Sequence, residues 1–175
     1  MSEIKVDTIG PRVDSGTLTI GAAGDTVNIA GTAGTGFPTP GITAASQWRL
    51  TTGFSGVSSA EPIASNWELS DTPGYGSLGS NMTESSGIFT FPSTGYWRIW
   101  ALINFNINGQ SLYNSCAIMA TVNNSSYTNA TDSYTCINTS GNGYASTSGD
   151  FIFDVTNTSN DKIQLRLMFM RYPFP

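Results

Sequence analysis

The chain has 175 residues, 12 acidic and 7 basic side chains for a formal net charge of −5, and no histidine. That length suits one well-cored domain with an appendage rather than two full domains. The missing histidine removes the usual general base and metal ligand, and so few cations argue against a nucleic-acid footprint. Ser, Thr, Asn and Gly occupy 77 positions. These residues compete for backbone hydrogen bonds or lose the most entropy in a helix. The Thr, Val, Ile, Tyr, Phe and Trp content suits a pleated surface, so the expected fold class is all-β.

Residues 1–41 contain no Trp, Tyr or Cys, and Phe37 is their one aromatic. The opening MSEIKVDTIG has acidic residues and no continuous apolar stretch, so it does not read as a signal peptide. No run approaches the ~20 apolar residues of a membrane span. A nine-residue repeat follows: Thr17-Leu18-Thr19-Ile20 before a Gly-Ala-Ala-Gly turn, then Thr26-Val27-Asn28-Ile29 before a second glycine turn. Each unit alternates with period two, Leu18/Ile20 and Val27/Ile29 facing one way. Units this small need stacked neighbours, and other copies of the chain can supply them. Ile4, Val6, Ile9, Leu18, Ile20, Val27 and Ile29 are therefore the expected anchoring and intertwining positions. Residues 31–41 read as a linker stiffened by Pro38 and Pro40, and a Gly/Thr-rich disordered leader is the alternative.

Residues 42–175 read as one head domain of short strands with turn punctuation. Strands are expected at 47–52, around 67–69, at 87–91, 96–107, 116–122, 127–136, 148–155 and 162–170. Residues 53–86 are mostly loop. Tyr96–Ile107 is apolar on both faces for most of its length, the pattern of a central strand buried on both sides. Its Trp97 and Trp100 lie three apart and so face opposite sides, one toward the core and one toward a subunit contact. Strands at this spacing point to a jelly roll or another antiparallel sandwich.

Chemistry-bearing constellations are sparse, and neither catalytic residues nor a cofactor are expected. Glu61, Glu68 and Asp71 lie in the loop-rich stretch, where surface solvation outweighs a glycosidase pair. Trp48 and Trp67 sit near strand ends, with core packing favoured over stacking on a sugar. Cys116 and Cys136 are symmetric about residue 126, so a hairpin without a bulge would set them opposite each other. Two small buried hydrophobes are the plainer alternative. Asn-x-Ser/Thr triplets at Asn81, Asn123, Asn129, Asn138 and Asn157 match the composition and carry no glycosylation meaning without a signal peptide. The segments 106–114, 123–131 and 138–146 are rich in Asn, Ser, Tyr and Gly, a composition suited to adaptable binding loops. Tyr113, Asn123, Asn124, Tyr127, Asn138, Asn142 and Tyr144 are the candidate recognition residues there.

The stretch Ser85-Ser86-Gly87-Ile88-Phe89-Thr90-Phe91-Pro92-Ser93-Thr94-Gly95-Tyr96-Trp97 resembles a signature of the C1q/TNF-like superfamily. Gly149-Asp150-Phe151-Ile152-Phe153-Asp154-Val155 with Asn160-Asp161-Lys162-Ile163-Gln164-Leu165 is similar to that family's paired strands around a G-D turn, with Asn160 in place of the glycine. The resemblance spans about residues 45–170. It implies an antiparallel jelly-roll head assembled as a homotrimer, and some such trimers hold calcium near their axis, for which Asp150, Asp154 and Asp161 are the acids in question. Calcium needs six or more oxygens, so no metal site is assigned. The family's last strand usually follows a loop, whereas this sequence closes with Met168-Phe169-Met170-Arg171-Tyr172-Pro173-Phe174-Pro175, so the expectation is either that the strand is missing or that this tail replaces it against a neighbouring subunit.

The leader EIKVDTI…GTLTIG…GDTV resembles the N-terminal segment of virion structural proteins of marine bacteriophages. Together these resemblances imply a non-enzymatic fibre, knob or decoration protein of the virion. It would anchor to other virion proteins through residues 1–41 and present a trimeric head to a host-surface glycan or protein. It would bind no nucleic acid and insert into no membrane. A lectin-like or carbohydrate-active domain acting on envelope glycans is one alternative. A capsid-stabilising decoration protein without a host ligand is another.

Overall fold

The computed structural model divides the chain into two units, residues 1–40 and 41–175. It describes residues 41–55 and 61–171, together with Gly24. The expected anchoring positions Ile4, Val6, Ile9, Leu18, Ile20, Val27 and Ile29 lie outside the described residues.

Ten strands and no helix make up the described part of the second unit: β1 (Trp48–Leu50), β2 (Glu61–Pro62), β3 (Trp67–Leu69), β4 (Thr83–Ser85), β5 (Ile88–Thr90), β6 (Gly95–Asn108), β7 (Ser111–Thr121), β8 (Thr128–Ile137), β9 (Asn142–Val155) and β10 (Lys162–Arg171). All pairings are antiparallel. One sheet runs β4-β5-β10-β7-β8, with β2 added to β10. A second pairs β6 with β9, and a third pairs β1 with β3. The class is all-β, as composition requires, and the arrangement is consistent with a β sandwich.

The core lies between the large sheet and the β6–β9 ribbon. Phe89, Cys116, Ile118, Ile163 and Leu165 come from the large sheet, and Ile99, Ala101, Phe153 and Val155 from the ribbon; Phe91 and Ile63 close the cluster. Phe91 packs on Phe153 and Trp97 at centroid distances of 5.6 and 5.5 Å, adding edge attraction to the hydrophobic gain of about 1.5–3 kcal/mol per buried large side chain. Trp48 and Trp67 meet Phe89 edge-on at 5.4 and 5.0 Å, so the β1–β3 pair covers the β5 end of the same core. Neither indole stands free for a sugar.

The glycine of the signature stretch has a geometric reason. Gly87 sits at φ +80°, and a Cβ there would lie 2.3 Å from the Ile63 carbonyl oxygen. Only glycine allows that backbone approach beside β5.

Three expectations need correction. The 96–107 segment is not a central strand: among the described residues β6 pairs with β9 alone, and its even-numbered side chains point outward. Residues 106–114 and 138–146 are mostly strand rather than loop, leaving only short connections at 109–110 and 138–141. The β7–β8 hairpin sets Cys116 opposite Ser133, with a register shift between Ile118 and Met119. Cys116 is buried, Cys136 is exposed, and both are free.

Candidate functional site

The ribbon's fourteen residue pairs run from Gly95↔Val155 to Asn108↔Asn142 without a break in register. Period-two alternation therefore sorts its side chains cleanly. The inner row carries Trp97, Ile99, Ala101, Ile103 and Phe105 from β6, with Phe151 and Phe153 from β9. The outer row carries Tyr96, Arg98, Trp100, Leu102, Asn104 and Asn106, opposite Asp154, Ile152, Asp150, Ser148, Ser146 and Tyr144. Trp97 and Trp100 thus face opposite sides, as their spacing requires. Trp97 is half-buried, its indole N–H donating to the Ser93 carbonyl at 3.1 Å.

This outer face has two halves of different chemistry. The first is apolar: Tyr96 is 80% exposed, Trp100 61%, Leu102 50% and Ile152 70%. Its central charges cancel, since Arg98 donates to Asp150 Oδ2 at 2.8–2.9 Å. The second half is uncharged and polar, with Asn104 opposite Ser146 and Asn106 opposite Tyr144. Here a shallow hollow of about 240 Å³ is lined by Asn104, Phe105, Tyr144, Ala145 and Ser146. Tyr144 is 76% exposed.

The candidate recognition residues do not gather at one place. Tyr144 and Asn142 belong to this ribbon face, both on β9 and exposed. Tyr113 belongs to β7, where its ring meets Tyr134 at 5.9 Å and its hydroxyl reaches Met168 Sδ at 3.7 Å. Asn123 and Asn124 shape the β7–β8 turn. Asn123 Oδ1 accepts from the Thr121 hydroxyl, the Ser125 N–H and hydroxyl and the Ser126 N–H at 2.9–3.0 Å, and Asn124 sits at φ +53°. Tyr127 is half-buried with its hydroxyl enclosed and unpartnered, and burial raises its pKa. Asn138 is exposed in the β8–β9 connection.

Several other titratable groups are held by contacts within the head. Arg49 holds Glu68 Oε2 and Asp71 Oδ1, each at 2.8 Å, and donates to the Thr72 hydroxyl at 2.7 Å. Two of the three loop carboxylates are therefore ion-paired, and the side chain of Glu61 lies outside the described set. Asp161 Oδ2 accepts the N–H groups of Thr156 and Asn157 at 2.7 and 2.8 Å, closing the β9–β10 turn. Asp150 is paired with Arg98 and Asp154 stands exposed near the end of β9. Among the described residues, no three His, Cys, Asp or Glu side chains are grouped to hold a metal ion. The Cys116 thiol is pushed up to about 12, first by burial and then by the nearby Asp132 carboxylate. Tyr134 is also raised, mainly because its hydroxyl hydrogen-bonds Asp132.

The sequence points to Asn142 and Tyr144 but not to Asn104 and Ser146, which only the β6–β9 register sets opposite each other beside them. Comparison with protein-family models and with curated proteins finds no match in either.

Proposed function

We propose that this chain is a non-enzymatic structural and recognition protein of a bacteriophage virion, a fibre, knob or decoration protein whose heads associate as a homotrimer. The N-terminal resemblance supplies the virion context. A jelly-roll head is supported by strand order. β10 inserts between β5 and β7, and the chain crosses repeatedly between the β4-β5-β10-β7-β8 sheet and the β6–β9 ribbon. Such crossings are those of Greek-key sandwiches.

The observation that carries self-association is the apolar half of the ribbon's outer face. With their exposures, Tyr96, Trp100, Leu102 and Ile152 present on the order of 500 Å² of apolar surface, most of the roughly 800 Å² that one side of a standard interface covers. Copies with a net charge of −5 repel one another over most of their surface. They can meet at a face whose central Arg98 and Asp150 neutralise each other, which leaves Asp154, opposite Tyr96 at its edge, as the remaining charge. An aromatic centre with a paired arginine is also the composition of interface cores. The proposal gives the protein a passive mechanism: anchoring by the leader and multivalent weak contacts by equivalent heads.

Light scattering on the full chain tests this. The expected native mass is three times 18.6 kDa, falling toward the monomer in Trp100→Glu, which changes an exposed side chain and leaves the core intact. A wild-type monomer at all concentrations, or a trimer indifferent to Trp100→Glu, overturns the assignment of this face.

A further inference from the structure

We infer that the hollow beside Tyr144 is a binding subsite for one uncharged pyranose ring of a surface glycan. The inference rests on the recognition part of the proposed function and names the ligand class for it. Size comes first. At about 240 Å³ the hollow falls below the roughly 300–1,000 Å³ of pockets for drug-sized ligands, so it takes a single ring, open to solvent on the side where a glycan chain would continue.

Chemistry comes next. Tyr144 offers an exposed aromatic surface on which the C–H face of a sugar can lie, and its phenol is amphipathic. Asn104 brings two amide donors and a carbonyl acceptor, and Ser146 brings a hydroxyl that donates and accepts. These two residues are directly opposed across the ribbon, with Tyr144 one outward position further along β9. None of the three side chains is hydrogen-bonded to another described residue, so their capacity is left for solvent or a ligand. Adjacent hydroxyls on a pyranose, each both donor and acceptor, match that inventory.

Charge decides between sugar classes. No ionisable carboxylate or cation lines the hollow. On the same face, Arg98 and Asp150 are committed to each other, and Asp154 lies toward the far end of the ribbon. With a net charge of −5 on the chain and no cation in the hollow, a uronic or sialic acid finds no counter-charge. A neutral hexose needs none.

Saturation-transfer NMR on the full chain provides the test. The probes are the methyl glycosides of glucose, galactose, mannose and N-acetylglucosamine, with sodium glucuronate as the anionic comparison, each at about 10 mM to reach the millimolar affinities of a single-ring site. Transfer to ring protons of at least one neutral glycoside is expected, with none to glucuronate. Tyr144→Ala should lower the transfer at least fivefold, Asn104→Ala should lower it less, and Tyr75→Ala, which changes an exposed tyrosine outside the ribbon, should leave it unchanged. Near-ultraviolet circular dichroism verifies that each variant is folded. Transfer to none of the neutral probes, equal transfer to glucuronate, or transfer that survives Tyr144→Ala overturns the subsite. The native mass separates the two proposals: a trimer without transfer sinks the subsite alone, and a sugar-binding monomer sinks the trimer alone.

Discussion

Asp161→Ala is the sharpest test of how the two-layer scaffold is held. The Asp161 side chain is almost wholly buried where β10 begins. Its Oδ2 accepts the Thr156 and Asn157 N–H groups at 2.7 and 2.8 Å and the Thr156 hydroxyl at 3.3 Å, and its own N–H donates to the Asn157 carbonyl at 2.8 Å. The carboxylate therefore replaces the strand ladder at the point where the chain leaves the ribbon for the large sheet. Hydrogen bonds to a charged acceptor are worth about 1.5–3 kcal/mol each, and removing the acceptor leaves the donors unpaired. Because Thr156 and Asn157 are exposed, water partly re-satisfies them, so the low end of that range applies. The expected loss is about 3 kcal/mol, a large share of the 5–15 kcal/mol typical of a domain. In urea, with a slope near 2 kcal/mol/M, the midpoint should fall by about 1.5 M. Asp161→Asn keeps an acceptor oxygen and should lose about half as much, while Thr156→Ala removes only the 3.3 Å hydroxyl contact and should cost under about 1 kcal/mol. A loss for Asp161→Ala no larger than that for Thr156→Ala would refute the reasoning.

Two further perturbations probe other parts of the head. Native protein treated with iodoacetamide at pH 8 should take one label, on exposed Cys136, and a second only after unfolding, because burial and Asp132 push the Cys116 thiol up to about 12; two rapid labels, or a mass deficit showing a disulfide, would contradict this. The same shift has a stability consequence. The unfolded thiol ionises near its ordinary value of 9.0 while the folded one keeps its proton, so the contribution is complete below pH 9 and is lost as pH rises toward 12, at up to about 1.4 kcal/mol per unit. Urea midpoints at pH 8 and 10.5 should therefore drop more steeply in the wild type than in Cys116→Ala, and equal slopes would remove the thiol from the account. Gly87→Ala should cost at least about 2 kcal/mol, since both φ and a 2.3 Å backbone contact forbid the methyl. Gly95→Ala, at φ +129° with nothing within 4 Å, should cost only the conformational part, about 1 kcal/mol. Equal losses on thermal melting would show that the close approach to Ile63 carries no weight.

What the sequence made legible follows the aliphatic and aromatic residues. The strands at 67–69, 87–91 and 162–170 were readable because Ile, Leu, Phe and Trp alternate there between short turns. The first six residues of β9, Asn142–Thr147, were hidden by composition. Asn-Gly-Tyr-Ala-Ser-Thr reads as loop, yet it is a strand with a solvated outer row and a small-residue inner row. The inner row is small for a packing reason: a Cβ on Gly143 would lie 2.2 Å from Ile137 Cγ2, and one on Gly149 would lie 3.1 Å from Thr131 Cγ2. Glycine here marks close approach of β8 and β9 rather than a turn. The β7–β8 register was equally out of reach. One bulge and a turn centred away from residue 126 separate Cys116 from Cys136, and a side-chain period of two makes register sensitive to single-residue shifts.

The misreading of β6 has a different origin, and it bears on function. A strand with large apolar residues on both faces carries a requirement for burial, and sequence states the requirement without stating what meets it. For Trp97, Ile99 and Phe153 the large sheet meets it. For Trp100, Tyr96 and Ile152 no described residue does. Aromatic residues are costly to leave in water when small polar ones are as abundant as here, since a Ser or Thr row would satisfy the same strand geometry. The ribbon shows that contrast along its own length: its outer face turns from Trp, Leu and Ile to Asn, Ser and Tyr at the Asn104↔Ser146 pair. A purely solvated face needs no such division. The proposed use of the face, another copy at one end and a polar ligand at the other, accounts for it.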